Sequence, residues 1–342
     1  MDQIEWINLM SDTVTRPTAG MLQAMFSAEV GDDVFGEDPT VNALQEKAAQ
    51  LFGKEEALFC PSGTMTNQIA IKVHTQALDE VICEQTSHIY QYETGGYAYN
   101  SRVAIQLLSG QNGKLKPDQI KTAVRPDQDW LPHSALVVIE NSCNKAGGSY
   151  YTLEEMEDLS KATHSAGLKF HLDGARIFNV LAETGNTPLS VGNLFDSISV
   201  CLSKGLGAPV GSVLIGNRDF IKQSRRYRKV MGGGMRQAGY LAAAGIYALD
   251  HHVERLKEDH FRAKELGQVL QQLEMVERVE PVHTNIIVFH LKEPKADEFL
   301  RKLLRHRIKA VALGPATVRF VTHLDFTEAR LVQTLRVLQT IE

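Results

Sequence analysis

The chain has 342 residues, of which 43% are hydrophobic and 23% are charged, a composition typical of a globular protein long enough for two domains. Its formal net charge of -5 and the lack of an evident basic face argue against nucleic acid as the main partner. No apolar run approaches the roughly 18 residues that a membrane-spanning helix needs, so we expect no membrane partner.

Two further features indicate a cytoplasmic protein. The first twelve residues, MDQIEWINLMSD, contain acids and no apolar run, so we expect no signal peptide. The cysteines show no CxxC spacing and predict reduced thiols rather than a disulfide or zinc framework (Cys60, Cys83, Cys143 and Cys201). No cluster of metal-ligand residues is evident, and we expect no metal.

Up to about residue 250, the sequence predicts helices that alternate with strands. The helices are expected at 17–28, 40–52, 63–75, 152–165, 218–229 and 236–250, and the strands at 56–60, 81–84, 136–140, 168–172, 197–202 and 210–215. Thr152 and Glu155 form the capping-box pattern of a helix start. This alternation predicts an α/β fold, in which a mostly parallel sheet is covered by helices on both faces.

After residue 250 the pattern changes. Helices are expected at 253–275, 295–305 and 326–340, and strands at 285–291 and 317–322. This order predicts a smaller α+β domain. We therefore predict a large domain over residues 1–250, including the N-terminal segment, and a small C-terminal domain over residues 251–342.

Lys204 stands just after the buried strand predicted at 197–202. Gly205, Gly207 and Pro209 prevent a helix from starting at once, so a ligand can approach the lysine closely. Open α/β sheets place their chemistry at such strand ends. Taken alone, the same pattern also fits an ordinary surface lysine.

A second polar group follows the strand predicted at 168–172. Asp173 comes directly after this strand, and Arg176 stands three residues later. Taken singly, Asp173 would also fit a helix N-cap or a turn. With Lys204, these side chains supply what an enzyme using pyridoxal phosphate needs: an amine for a Schiff base, a carboxylate that keeps the pyridine nitrogen protonated, and a cation that orients an acidic group.

Two upstream sites fit the same interpretation. The strand predicted at 56–60 leads to Gly63 and Thr64 at a helix start, where backbone N–H groups and the helix dipole favour a phosphate. An ordinary helix cap is the alternative there. His88 lies just past the strand predicted at 81–84, where an imidazole can stack on a flat cofactor, move a proton, or simply bond to the backbone.

Nine stretches give the chain a family resemblance. In order they read SDTVTRPT, GDDVFGEDPTVN, PSGTMTNQ, SHIY, ENSCNKAGG, HLDGAR, SKGLGAPVG, RRYRKVMGGGMRQAG and RFVTHLD, and they span nearly the whole chain. HLDGAR followed by SKGLGAPVG is specific to one family. The chain resembles the L-threonine aldolases of the low-specificity or L-allo-threonine type, which are pyridoxal-phosphate enzymes with the aspartate-aminotransferase fold (fold type I).

The resemblance implies a role for each matching residue. Lys204 would form the Schiff base, Asp173 would pair with the pyridinium nitrogen, and His88 would stack on the ring, and these three are the implied catalytic residues. Cofactor contacts would come from Gly63, Thr64, His88, Asp173, Arg176, Ser203, Lys204 and Arg236. Substrate contacts would come from Ser11, Phe35, Cys143, Arg176, Lys229 and Arg319. Of the latter, Ser11, Arg176 and Arg319 would hold the amino-acid carboxylate.

The resemblance also implies an assembly. Lys229 and Arg236 match a basic segment that, in similar enzymes, lies at a subunit interface near the cofactor. We therefore expect at least a homodimer, and the family commonly forms tetramers. For the neighbouring arginines a solvated helix face is the alternative (Arg225, Arg226 and Arg228).

Two positions depart from the family pattern. Cys143 stands where many similar enzymes have a histidine that would contact the substrate hydroxyl, and a thiol is a shorter and weaker donor. Phe35 stands where the acidic loop of the family usually carries tyrosine. The preference between L-threonine and L-allo-threonine therefore stays open.

The resemblance implies a lyase that splits L-threonine or L-allo-threonine into glycine and acetaldehyde by retro-aldol cleavage. The base for the β-hydroxyl proton would be either His88 or a bound water. The same residues would serve β-elimination or transamination of another amino acid. A third hypothesis is a non-catalytic binding protein, against which the intact set of Lys204, Asp173 and Arg176 argues.

Overall fold

The computed structural model describes residues 6–341 of the chain. Helices account for much of this part. The helices are α1 (Ala19–Phe26), α2 (Pro39–Leu51), α3 (Gly63–His74), α4 (His88–Gln91), α5 (Pro117–Ala123), α6 (Leu153–Ser165), α7 (Ile177–Thr184), α8 (Pro188–Gly192), α9 (Arg218–Val230), α10 (Gly239–His251), α11 (Leu256–Gln272), α12 (Ala296–Arg305) and α13 (Glu328–Thr340). None of the helices in this part of the chain is long and apolar enough to cross a membrane.

The strands form one large sheet and two smaller ones. They are β1 (Ile7–Asn8), β2 (Glu56–Cys60), β3 (Asp79–Glu84), β4 (Ala104–Leu108), β5 (His133–Glu140), β6 (Lys169–Gly174), β7 (Ser197–Cys201), β8 (Ser212–Gly216), β9 (Val276–Val279), β10 (Ile286–Leu291), β11 (Ile308–Lys309), β12 (Val311–Gly314) and β13 (Thr317–Val321). The large sheet has seven strands in the order β2-β8-β7-β6-β5-β3-β4. Within it, β8 runs antiparallel to both of its neighbours, and the other pairs are parallel.

Helices cover the large sheet on both faces, because its strands carry apolar side chains on both. Phe59 of β2 packs into the main core, whereas its neighbour Leu58 packs with Ile69 of α3 in a separate cluster. All five residues of β7 are buried. The predicted α/β fold with a mostly parallel, helix-covered sheet is thus confirmed.

Most predicted elements agree with the observed ones within a few residues. The strand predicted at 56–60 is β2, and the helix predicted at 63–75 is α3. The capping box is present as predicted: Thr152 Oγ1 accepts the Glu155 N–H, and Glu155 accepts the Thr152 N–H. Several short elements were not predicted. Among them, β4 lies at the sheet edge, so its residues are only partly buried and its pattern is weak.

The C-terminal part of the chain builds a second core on an antiparallel sheet. This sheet has four strands in the order β12-β13-β10-β9, and α11, α12 and α13 contribute to its core. From the other end of the chain, β1 pairs in parallel with β11, and Leu9 is buried in this second core. The division into two domains at residue 250 stays a prediction. The outermost residues of these two predicted domains, 1–5 and 342, lie outside the described part of the chain. The prediction assigned β1 to the large domain, whereas its strand partner lies in the C-terminal part.

Replacing Thr152 with alanine should lower the free energy of unfolding by about 1 kcal/mol, because the Glu155 N–H loses its capping oxygen. Chemical denaturation of the two proteins measures the difference. Thr122→Ala is the matched control, since the hydroxyl of Thr122 bonds to the Asp118 carbonyl inside α5 and caps no helix. This control should change stability by less than about 0.5 kcal/mol. Equal losses in both variants would contradict the capping role.

Candidate active site

Asp173 lies near the end of β6 and Lys204 follows the neighbouring parallel strand β7, so both stand at the carboxyl ends of the strands of the large sheet. In the pairing of β6 with β7, Asp173 stands opposite Ser199, and Lys204 follows the end of β7. Within residues 6–341, the Lys204 amine makes no ion pair with a carboxylate. A carboxylate and an available amine therefore stand at one sheet edge, where α/β proteins bind their ligands.

The start of α3 forms an anion-binding cradle beside this edge. Ser62 caps the helix, and its hydroxyl accepts the N–H of Met65 at 3.2 Å. Among the described residues, the N–H groups of Gly63 and Thr64 have no protein partner. They are the first two of a twelve-residue helix, so they point outward with the positive end of its dipole. Such a helix start suits a phosphate.

Close packing at Gly63 brings this cradle against the neighbouring strands. A Cβ added to Gly63 would lie 2.5 Å from the sulfur of Cys201, the last residue of β7, so glycine is required there. The hydroxyl of Ser212 is buried next to the same position and has no hydrogen-bond partner among the described residues. Ser203 lies between Cys201 and Lys204. Backbone and hydroxyl donors therefore gather between the helix start and the lysine.

His88 begins α4 and bonds to a carboxylate that the sequence analysis had not assigned. Its Nδ1 lies 2.9 Å from Oε1 of Glu93, whose side chain is fully buried. Burial lowers the pKa of His88, but the bond to Glu93 and the charge of Asp173 outweigh that effect and raise the pKa above its usual 6.5. A ring nitrogen of His88 and one oxygen each of Glu93 and Asp173 lie within 4.8 Å of one another. Because these three groups could also share a cation, the absence of a metal stays a prediction.

Glu140, at the end of β5, connects two segments of the site. One of its oxygens accepts the backbone N–H of His88 at 2.9 Å, and the other accepts that of Asn144 at 3.0 Å. Burial and then the negative charge of Asp173 raise the pKa of Glu140 to about 6. The carboxyl group therefore fixes the position of His88 relative to the 141–144 segment.

Arg176 and Asp12 form a buried ion pair that joins the N-terminal segment to the large sheet. Arg176 Nε donates to one oxygen of Asp12 at 2.8 Å, and its Nη2 donates to the other at 2.7 Å. Burial would raise the pKa of Asp12, but the charge and hydrogen bonds of Arg176 hold it well below the usual range, helped by the charge of Lys204. Ser11 precedes this aspartate, and its hydroxyl accepts the N–H of Thr13 at 3.2 Å, so its contact with substrate stays a prediction.

Arg319, on β13, faces the same place with a guanidinium that has no carboxylate partner among residues 6–341. Its Nη1 donates to the Asn144 side chain at 3.0 Å, and its Nη2 donates to the Met10 carbonyl at 3.1 Å. Its Nε is buried and has no hydrogen-bond partner within residues 6–341. Burial and the nearby charge of Arg176 lower the pKa of Arg319. A partly buried cation whose partners among the described residues are neutral provides a strong site for a small carboxylate.

Glu93→Gln should lower the pKa of His88, because an amide replaces the negative charge that raises it. In the wild-type protein, folding favours protonated His88, so the resulting stability is fully present below pH 6.5 and is lost as pH rises through the folded pKa. NMR titration of His88 in cofactor-free protein measures the pKa. The control is Glu280→Gln, which alters a separate pair with His290 in the C-terminal part. An unshifted His88 in the Glu93 variant would contradict the assignment.

Comparison with known proteins identifies the family. The family model described as β-eliminating lyase matches residues 8–294. The chain is 42% identical to the low specificity L-threonine aldolase of Escherichia coli K12 over 328 residues, which cover 96% of each chain. The chain belongs to the threonine aldolase family. The predicted family resemblance is thus confirmed.

A plant relative and a solved structure agree with this membership. The low-specificity L-threonine aldolase 1 of Arabidopsis thaliana is 38% identical over 341 residues, which cover 97% of this chain and 95% of the plant protein. The solved threonine aldolase of Leishmania major superposes with a TM-score of 0.86 at 22% identity and covers 98% of this chain and 99% of its own. At that identity the structural match supports the fold, which is the predicted fold type I.

The structure places Cys143, one of the two positions that depart from the threonine aldolase pattern, in the core. Its sulfur lies 3.1 Å from the Glu140 carbonyl oxygen and 3.4 Å from that of Gly113. The residue is 4% exposed, and burial raises the pKa of its thiol. Its neighbour Asn144, rather than Cys143, contacts Arg319. A substrate contact of Cys143 stays a prediction.

The other departure, Phe35, lies on a surface with Lys229 and Arg236. Phe35 is 72% exposed in the acidic loop formed by residues 31–39, and the Arg236 guanidinium lies 5.8 Å from the centre of its ring. Arg236 also pairs with Asp32 of that loop at 2.7 Å. Lys229 is exposed near the end of α9. Within one chain, Arg236 contacts both Phe35 and Asp32, and the predicted roles of Phe35, Lys229 and Arg236 toward cofactor and substrate await a test.

Five residues of the site were not assigned from sequence (Asp12, Asn67, Glu93, Glu140 and Asn144). Glu140 and Asn144 follow the same rule as Asp173, because they stand at or just past the end of a parallel strand. Asn67, whose side-chain amide donates to Asp173 at 2.9 Å, lies one helical turn after Thr64 on α3. Asp12 has no such signal, because its partner Arg176 lies 164 residues away. Glu93 lies five residues after His88, but its other partners, Asn67 and Gln68, come from α3.

Proposed function

We propose that this chain cleaves L-threonine or L-allo-threonine to glycine and acetaldehyde with bound pyridoxal phosphate. The observation that carries the proposal is the 42% identity to a low specificity L-threonine aldolase over 96% of both chains. The geometry supports it, since the outward N–H groups of α3 and the amine of Lys204 lie at the carboxyl ends of the central strands. Arg319 reaches the same region from the C-terminal sheet through its bond to Asn144.

The donor groups of the site fit this cofactor. The N–H groups of Gly63 and Thr64 suit its phosphate, and the amine of Lys204 suits a Schiff base with its aldehyde. Asp173 is buried and offers a carboxylate for the ring nitrogen, and the partly exposed ring of His88 can stack on the pyridine face. When bound, pyridoxal phosphate supplies an electron sink for the negative charge left at Cα. The assignment of each contact is part of the proposal.

The substrate carboxylate would bind between Arg319 and Ser11. Arg319 lacks a carboxylate partner among the described residues, whereas Arg176 already engages Asp12 with two hydrogen bonds. We therefore assign direct carboxylate binding mainly to Arg319, and to Arg176 the task of holding Asp12 and so Ser11 in place. A fixed carboxylate sets which bond at Cα is aligned for cleavage.

His88 is the side chain best placed to take the proton of the β-hydroxyl. Glu93 holds its Nδ1, so Nε2 is the nitrogen left to exchange a proton with substrate. A bound water activated by the same imidazole is the rival base. The direct contact of Cys143 with the hydroxyl is weaker as a proposal, because its thiol bonds to backbone carbonyls.

A product assay with purified protein and added pyridoxal phosphate tests the function. L-threonine and L-allo-threonine are supplied separately, and acetaldehyde and glycine are quantified. Equimolar acetaldehyde and glycine are expected from at least one substrate, and the ratio of the two rates measures the stereochemical preference at Cβ. Pyruvate or a keto acid without acetaldehyde would overturn the proposal in favour of elimination or transamination.

The oligomeric state and the cellular location of the protein belong to the same proposal. Large apolar side chains such as Phe26, Phe35 and Val230 are 85%, 72% and 79% exposed in the single chain, which supports burial in a homodimer or homotetramer. The mass measured by sedimentation at working concentration should exceed that of one chain.

Four buried, unpaired cysteines favour a cytoplasmic location. The products would link the chain to threonine breakdown and glycine supply.

A further inference from the structure

A chain of buried polar side chains runs away from Asp173 through the large domain. Asn67 Nδ2 donates to Asp173 Oδ2 at 2.9 Å, and Asn67 Oδ1 lies 3.2 Å from Nε2 of His171. His171 Nδ1 lies 2.8 Å from the hydroxyl of Ser197, which lies 2.7 Å from Nε2 of His74. Asn67, His171 and Ser197 are at most 2% exposed. None of the four residues behind Asp173 has a role in the proposed reaction.

The direction of every hydrogen bond in this series, from Asp173 to His74, is fixed. Both amide hydrogens of Asn67 meet carboxylates, since Nδ2 also donates to Glu93 at 2.9 Å. The amide oxygen must therefore accept, and Nε2 of His171 must carry the hydrogen that it accepts.

The remaining links follow in the same direction. Burial lowers the pKa of His171 to about 3, so the ring is neutral and its Nδ1 accepts from Ser197. Burial likewise lowers the pKa of His74 to about 4, and its Nε2–H donates to the Ser197 oxygen. Each donor thus points toward Asp173 and Glu93.

We propose that Asn67 and His171 are positioning residues that hold Asp173 in a fixed orientation as the acceptor for the ring nitrogen of the bound cofactor. This inference rests on the proposed function for the identity of the cofactor. The amide of Asn67 also stands between Asp173 and Glu93. Without it, the two carboxylates face each other unshielded, one of them takes up a proton, and Asp173 no longer presents a fixed acceptor.

Ligands with and without the ring nitrogen distinguish the positioning of Asp173 from a general packing role of Asn67 and His171. Loss of packing weakens every ligand of the site alike. Loss of the Asp173 acceptor weakens a ligand that carries the ring nitrogen and spares one that lacks it. The matched pair of probes is pyridoxal phosphate and its analogue in which CH replaces the ring nitrogen.

Equilibrium binding of both probes to the full-length protein tests the inference without any turnover. In the Asn67→Leu variant, affinity for pyridoxal phosphate should fall about tenfold, as expected for loss of a hydrogen bond to a charged group, while affinity for the analogue changes less than about twofold. His171→Leu should act in the same direction. His171→Gln, whose amide can still donate to Asn67, should bind both probes nearly as the wild type does.

Two controls keep the result decisive. Ser197→Ala removes a distant member of the hydrogen-bonded series with little change in volume, and it should show a smaller loss of the same selectivity. This variant tests the inference even where Asn67→Leu folds poorly. Thr163→Val removes a buried hydroxyl that has no hydrogen-bond partner among the described residues and does not belong to the hydrogen-bonded series. It should change neither affinity. Equal losses for both probes in the Asn67 and Ser197 variants would overturn the inference, as would a wild type that binds both probes equally. The product assay judges the proposed function separately.

Discussion

Lys204→Ala should reduce threonine cleavage by about a thousandfold or more, because the variant loses the amine that we propose forms the Schiff base. The amine is the expected nucleophile, and among the described residues it makes no ion pair that would occupy it. The product assay measures the loss of acetaldehyde and glycine. Borohydride reduction followed by mass measurement gives a second readout, since the wild-type chain should gain the mass of the reduced cofactor and the variant should not.

Lys54→Ala is the matched control for this result. Lys54 is also partly buried, and burial lowers its pKa, but it follows α2 on another part of the large domain. It should retain both activity and covalent labelling. Full activity of the Lys204 variant, or labelling that persists in it, would place the reactive amine elsewhere.

Arg319→Ala should raise KM for L-threonine about a hundredfold while the cofactor stays bound, because the substrate carboxylate loses its charged partner. The guanidinium contacts only Asn144 and the Met10 carbonyl, so its removal leaves no carboxylate of the described chain unpaired. Steady-state kinetics measure KM, and the absorbance of the bound cofactor reports its retention.

The control for this variant is Arg305→Ala. Arg305 is an exposed arginine at the end of α12 in the same part of the chain. It should change neither KM nor cofactor absorbance. Loss of the cofactor from the Arg319 variant would show that Arg319 belongs to the cofactor site, and an unchanged KM would remove it from substrate binding.

The fold could be predicted from the sequence largely because its central strands are buried on both faces. β5 and β8 contain short apolar runs that end in polar or small residues, and such runs stand out without any knowledge of their partners. Asp173 and Lys204 could be singled out because they follow such strands. The two-residue strands β1 and β11 could not, since only their pairing with each other makes them strands.

The polar contacts of the site could not be predicted in the same way, because they join distant parts of the sequence. The sequence resemblance gave Arg176 a direct contact with substrate, and nothing near it in sequence indicates that Asp12, 164 residues away, occupies its guanidinium. Similarly, Glu93 becomes important only through its bonds to Asn67, Gln68 and His88. These partners are fixed by tertiary packing rather than by local pattern.

The course of the N-terminal segment constrains when the site can form during synthesis. The Met10 carbonyl that receives Arg319 lies 309 residues earlier in the chain, and β1 waits for β11 to complete its two-residue pairing. Contacts of such long sequence separation form late in folding, because closing the loop between them costs entropy. A chain on the ribosome would therefore hold a folded cofactor cradle before Ser11 and Arg319 could meet. We therefore expect the proposed carboxylate site of Ser11 and Arg319 to be the last part of the active site to form in a newly made molecule.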